Sequence, residues 1–107
     1  MEKVQLTIDY ESEEPDGFSS VNYNMTKIFE FPKLPPMRCF ILLHNEAIRG
    51  FTFRDAVYDP EEDMYHVVNR SSEGVERYYH GDAKVIMAEV VSRFKHHGWE
   101  VAKNDKN

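Results

Sequence analysis

Val4, Leu6, Ile8 and Tyr10 alternate with Lys3, Gln5, Thr7 and Asp9, a period of two that places every apolar side chain on one face of a strand. A chain opening this way needs a partner strand and a cover for the apolar face. The next patterned stretch repeats the rhythm: Val21, Tyr23, Met25, Phe29 and Phe31 are apolar, and Asn22, Asn24, Thr26 and Glu30 are polar. Only Lys27 breaks the inward set. Between the two stretches, Glu11 to Ser20 carries acids, Pro15, Asp16-Gly17 and serines, the chemistry of an exposed turn. The pattern predicts a long antiparallel hairpin with both apolar faces on the same side.

Pro32-Lys33-Leu34-Pro35-Pro36 removes three amide donors and reads as a rigid extended connector. Its Pro-x-x-Pro core is followed by Met37, where one common orientation of SH3 ligands carries a base, so the connector reading is preferred. Cys39-Phe40-Ile41-Leu42-Leu43 does not alternate at all. A continuous apolar run fits a strand covered on both faces, which makes this segment the expected central strand. Residues 49–79 read as a three-strand meander with turns at Asp59–Asp63 and Ser71–Gly74. Asp55 falls on the apolar side of that pattern, and a local bulge turning it outward costs less than burying it.

Only one stretch has a strong helical period. Ala83, Ile86, Met87, Val90, Val91 and Phe94 form a stripe between Asp82 as N-cap and Gly98 as the left-handed C′ residue. Trp99 should pack back on Phe94, and Lys95, His96 and His97 place cations beside the last free carbonyls. Trp99 to Ala102 adds a short strand, and residues 103–107 are expected to fray.

A length of 107 residues suits a single domain spanning 1–107. No apolar run approaches the ~18 residues of a membrane-spanning helix. The N-terminus also lacks the basic-then-apolar order of a signal peptide, so a cytoplasmic location and no membrane partner are expected. The single cysteine excludes an internal disulfide and any cysteine-pair zinc site. The net charge of −6 is concentrated, with six acids against one base in residues 1–20 and four acids in Asp59–Asp63. That balance disfavours nucleic acid. The acidic loops read as solvated. The sharper alternative is a cation site or a surface for a basic partner, although Asp59–Asp63 lacks the ligand spacing and glycine of an EF-hand.

Catalytic chemistry has few candidates. Cys39 sits in the most apolar run and reads as a small buried hydrophobe, and no serine occupies a Gly-x-Ser-x-Gly elbow. The five histidines form neither an i, i+4 pair on the helix nor a His-x-His pair on a strand, so no metal and no cofactor are expected. His66, His80 and Asp55 could form an acid–base group if the fold brought them together. Candidate ligand-binding residues are Arg49, Phe51, Phe53, Tyr58 and Tyr78. Arg49-Gly50-Phe51-Thr52-Phe53 is similar to the first five places of the RNP1 motif of RNA recognition motifs, whose aromatics stack on bases. Thr52, Arg54 and Ala56 depart from that motif, and no helix separates this segment from the preceding strand. Two phenylalanines two apart on a strand read instead as a core face, and no family is assigned.

The reading is an α+β fold: an antiparallel sheet of about six strands, open or strongly curled, with one C-terminal helix packed on one face. Covering both sides of residues 39–43 calls for a second layer or a second subunit. The expected function is therefore a small soluble non-catalytic binding or protein–protein interaction module, forming a homodimer or engaging a protein partner. The alternatives are a small enzyme using His66, His80 or Asp55 in a sheet pocket, and a weak single-stranded nucleic-acid binder using sheet aromatics.

Overall fold

The structure is a computed structural model that describes residues 1–13, 20–70 and 83–104. In chain order its elements are β1 (Glu2–Glu13), β2 (Ser20–Phe31), β3 (Cys39–Leu42), β4 (Gly50–Phe53), β5 (Val57–Asp59), β6 (Met64–Arg70), α1 (Ala83–His96) and β7 (Glu100–Asn104). Five strands make an open sheet in the order β5-β6-β1-β2-β7, and β3 and β4 form a separate two-stranded ribbon. The protein is α+β with a mostly antiparallel sheet.

The hairpin of β1 and β2 runs in unbroken register from Glu2 opposite Phe31 to Glu13 opposite Ser20. Because opposed residues point the same way, Val4, Leu6, Ile8 and Tyr10 share a face with Met25, and all five are buried. β6 adds Val67 to this face by pairing with β1 in parallel, Leu6 opposite Val67. The parallel pairing is possible because the chain leaves the sheet after β2, builds the ribbon above it and returns through β5. Two elements then share the cover: the ribbon contributes Phe51 and Phe53, and α1 contributes Val90 and Phe94.

Four rings tie these layers together. Phe94 meets Trp99 edge-on with ring centres 4.9 Å apart, Trp99 meets Phe29 of β2 at 5.9 Å, and Phe29 stacks on Phe51 of the ribbon at 6.2 Å. Contacts at such separations add about 0.5–1.5 kcal/mol per pair beyond the area they bury.

The C-terminus of α1 ends as its sequence predicts. Gly98 adopts a φ of 84°, its amide donates to the Lys95 carbonyl at 3.0 Å, and the Trp99 amide donates to the Phe94 carbonyl at 3.0 Å. These are the two bonds of a Schellman cap, and they aim the indole back at Phe94. The expected N-cap, Asp82, lies outside the described residues, as does the expected return strand at 75–79.

Several expectations need correction. Residues 39–43 are not the central strand; β1 is, and β3 lies in the ribbon with Cys39 and Ile41 half-buried and Phe40 and Leu42 exposed. In burial the run alternates after all: Phe40 and Leu42, on its outer side, stay more than half exposed, although the Phe40 ring lies over Gly50 of the neighbouring strand. The 49–58 segment is not one strand. Asp55, exposed and with a φ of 51°, breaks it into β4 in the ribbon and β5 in the sheet. The helix does not cover the sheet alone, the sheet is open rather than curled shut, and β7 continues through Lys103 and Asn104, opposite Tyr23 and Asn22, where fraying was expected.

Candidate functional site

The outer edge of β3 follows from the ribbon's register. Phe40 faces Thr52 and Leu42 faces Gly50. The Leu43 amide donates to the Arg49 carbonyl at 2.8 Å, which makes Leu42–Gly50 a pair whose own peptide groups point away from each other. Two residues along, Phe40–Thr52 has the same geometry. On the β4 side these groups are satisfied: Asn69 accepts from the Thr52 amide through Oδ1 and donates to the Thr52 carbonyl through Nδ2, both at 3.0 Å. One side chain of β6 thus takes the place of a neighbouring strand. On the β3 side, Phe40 and Leu42 direct their peptide groups outward, and the two residues are 54% and 57% exposed.

The three other strand borders of the described structure are guarded. β5 is three residues long and runs into Pro60 and an acidic turn. β7 carries Glu100 and Lys103. β4 is closed by Asn69. Short length, proline and charge all discourage strand addition. β3 has no charge between Cys39 and Leu43.

The ligand-binding candidates divide. Phe51 and Phe53 are 2% and 1% exposed, so their rings belong to the core and are closed to a stacking base. Arg49 is exposed just before β4. Tyr58 is exposed on β5, its ring 4.9 Å from that of Tyr65, and its hydroxyl donates to Asp63 Oδ1 at 2.6 Å. That bond, with the negative charge of Asp63, holds the phenol proton above the ordinary tyrosine range. Tyr78 lies outside the described residues.

Of the acid–base candidates, His80 lies outside the described residues and Asp55 stands exposed in the turn after β4. The carboxylates beside His66 are others. Its Nε2 is 3.9 Å from Asp59 Oδ2 and 3.8 Å from Glu62 Oε2. This grouping escapes a search for paired histidines, because it arises where the β5–β6 turn folds Asp59 and Glu62 back beside β6. The only sequence signal is an acidic turn followed by a histidine on the returning strand.

Across the sheet's other face, Val57, His66, Gln5 and Ile28 line up in register, followed by Val68, Thr7 and Thr26. This mixed face is half polar, and on it Asn22 Nδ2 donates to Asp9 Oδ1. No helix of the described residues is long and apolar enough to cross a membrane.

Comparison with protein-family models, with curated proteins and with solved structures finds no match for this chain.

Proposed function

We propose that this chain is a small non-catalytic interaction module whose working surface is the outer edge of β3, and that its occupant is a second copy of the same strand. The observation that carries the reading is the coincidence at Phe40 and Leu42 of outward peptide groups and exposed apolar side chains. Antiparallel pairing of two β3 strands about Ile41 sets Phe40 of each copy opposite Leu42 of the other. Both residues then exchange their outward amide and carbonyl groups, the Phe40 carbonyl beyond its 3.6 Å contact with the Cys39 thiol, and the two ribbons become one four-stranded sheet. The contact is self-complementary, as a two-fold interface must be, and it brings no like charges together. Exposed Met37 flanks the same edge.

Sedimentation velocity across a concentration series tests the reading. The expected result is a monomer–dimer equilibrium with a Kd on the order of 10–100 μM, the weak range suited to an interface of a few residues. Leu42→Lys, which adds a charge at a position outside the core, should leave the melting temperature unchanged and weaken dimerisation by about tenfold or more. A chain that stays monomeric at high micromolar concentration, or a dimer indifferent to Leu42→Lys, overturns the proposal.

A further inference from the structure

The β5–β6 turn brings together three side chains that the interaction edge does not use. Asp59 ends β5, Glu62 sits in the turn, and His66 stands on β6 opposite Val57. One ligand atom from each, His66 Nε2 and a carboxylate oxygen from Asp59 and Glu62, lies within 4.8 Å of the other two. The imidazole nitrogen is nearly equidistant from both acids, at 3.9 and 3.8 Å. Those separations are too long for hydrogen bonds, which need about 2.7–3.2 Å. They are loose ion-pair contacts when the imidazole is protonated, and no hydrogen bond locks the three groups to one another.

Two carboxylates at a turn would by themselves be a solvated acidic patch. The imidazole changes the chemistry. It supplies a nitrogen donor to the same volume as two carboxylate oxygens, whose two charges together would balance a doubly charged ion. Ligand atoms about 2.0–2.2 Å from a tetrahedral zinc ion stand about 3.4 Å apart. The observed spacings exceed this by an amount that half-exposed side chains can close by rotation. Asp59 is held for the task, since its Oδ1 accepts the Glu61 amide at 3.0 Å while Oδ2 is the oxygen nearer His66.

From this convergence we infer that Asp59, Glu62 and His66 form a surface binding site for one divalent transition-metal ion of the zinc class. A nitrogen-plus-carboxylate set favours zinc or nickel over magnesium and calcium, which prefer all-oxygen surroundings and more ligands. Three protein ligands leave at least one position for water or for a donor from another molecule. Because Asp59 and His66 lie on different strands, the ion would also staple the short β5 to β6.

The inference is independent of the β3 edge, so failure of one leaves the other standing. The experiment is calorimetric titration of the full chain with zinc chloride and, separately, with calcium chloride. Zinc should bind with a Kd on the order of micromolar and at least about tenfold more tightly than calcium. His66→Gln and Glu62→Gln, both on the surface, should each weaken zinc by about tenfold or more without lowering the melting temperature. The double change His96→Gln/His97→Gln should leave the affinity intact, which separates this site from the adjacent histidines at the end of α1. The inference is overturned if no saturable zinc binding occurs up to about 1 mM, if His66→Gln binds like the unaltered chain, or if removing His96 and His97 abolishes binding.

Discussion

Lys27 Nζ donates to both carboxylate oxygens of Glu46, at 2.6 and 2.8 Å, from the apolar face of the sheet. The same ammonium donates to the His97 carbonyl at 2.7 Å and lies 5.5 Å from the centre of the Phe29 ring. Its three protons thus have three acceptors, one of them at the negative end of α1. β2, the segment joining the ribbon strands and the helix C-terminus are pinned at one point, and that point fixes how the ribbon and helix divide the sheet between them.

Removing Lys27 should cost more than a surface ion pair is worth. The Glu46 side chain is only 8% exposed, so Lys27→Met leaves a nearly buried carboxylate without its cation and the His97 carbonyl without its donor. A loss of about 2–4 kcal/mol is expected by urea denaturation, below the upper end for a fully buried pair because the lysine is partly solvated. The double change Lys27→Met/Glu46→Leu should recover at least half of that loss. A double variant as unstable as the single one would show that the pair's charge is not the source of the cost.

Lys27 also shows how far the sequence carries. The alternation of β1 and β2 and the cap at Gly98 were legible because both depend on neighbours within a few residues. The break at Lys27 was visible, but its reason was not, since Glu46 and His97 are 19 and 70 residues away. Residues 39–43 misled for a related reason. An apolar run does not by itself guarantee that the chain covers both of its sides, and here Phe40 and Leu42 stay exposed. The parallel pairing of β1 with β6 has no local signature, and neither does the meeting of His66 with Asp59 and Glu62, which depends on the path of the turn.

Asn69 should hold the ribbon to the sheet. Asn69→Ala leaves both the amide and the carbonyl of Thr52 without their side-chain partner, and each half-buried orphan costs about 1–3 kcal/mol. Hydrogen exchange gives the sharper readout. The Thr52 amide should lose protection by about tenfold or more, while the Leu6 and Ile8 amides of β1 change only as far as global stability falls. Asn69→Asp should rescue only the half in which Thr52 donates, because a carboxylate has no proton for the carbonyl. Unchanged protection at Thr52 in Asn69→Ala would contradict this role.

Tyr58 supplies a pH dependence with a definite sign. Its hydrogen bond to Asp63 raises the phenol pKa in the folded chain above the ordinary 10.0. Between the unfolded and folded values the folded state binds more protons, so this contribution to stability is complete below pH ~10 and disappears as pH rises through the folded value. In a titration of the tyrosine ring signals by NMR, Tyr58 should ionise at higher pH than free tyrosine. Asp63→Asn should move it downward. A Tyr58 that titrates identically with and without the Asp63 carboxylate would remove the hydrogen bond as the cause.

Gly50 belongs to the pentapeptide that resembles an RNA-binding signature, yet the ribbon gives it a different reason to be glycine. A β-carbon there would stand 2.2 Å from the Ile41 carbonyl oxygen and 2.8 Å from two carbons of the Phe40 ring. The ring can swing aside, but the carbonyl belongs to the backbone of β3, in the pair opposite Phe51. Gly50→Ala must therefore push the two strands apart, at an expected cost of about 1–3 kcal/mol in urea denaturation. Adding Phe40→Ala should not restore stability, because it removes only the yielding half of the clash. If the double variant is as stable as Phe40→Ala alone, the ribbon accommodates the methyl group and close backbone approach is not why glycine stands between Arg49 and Phe51.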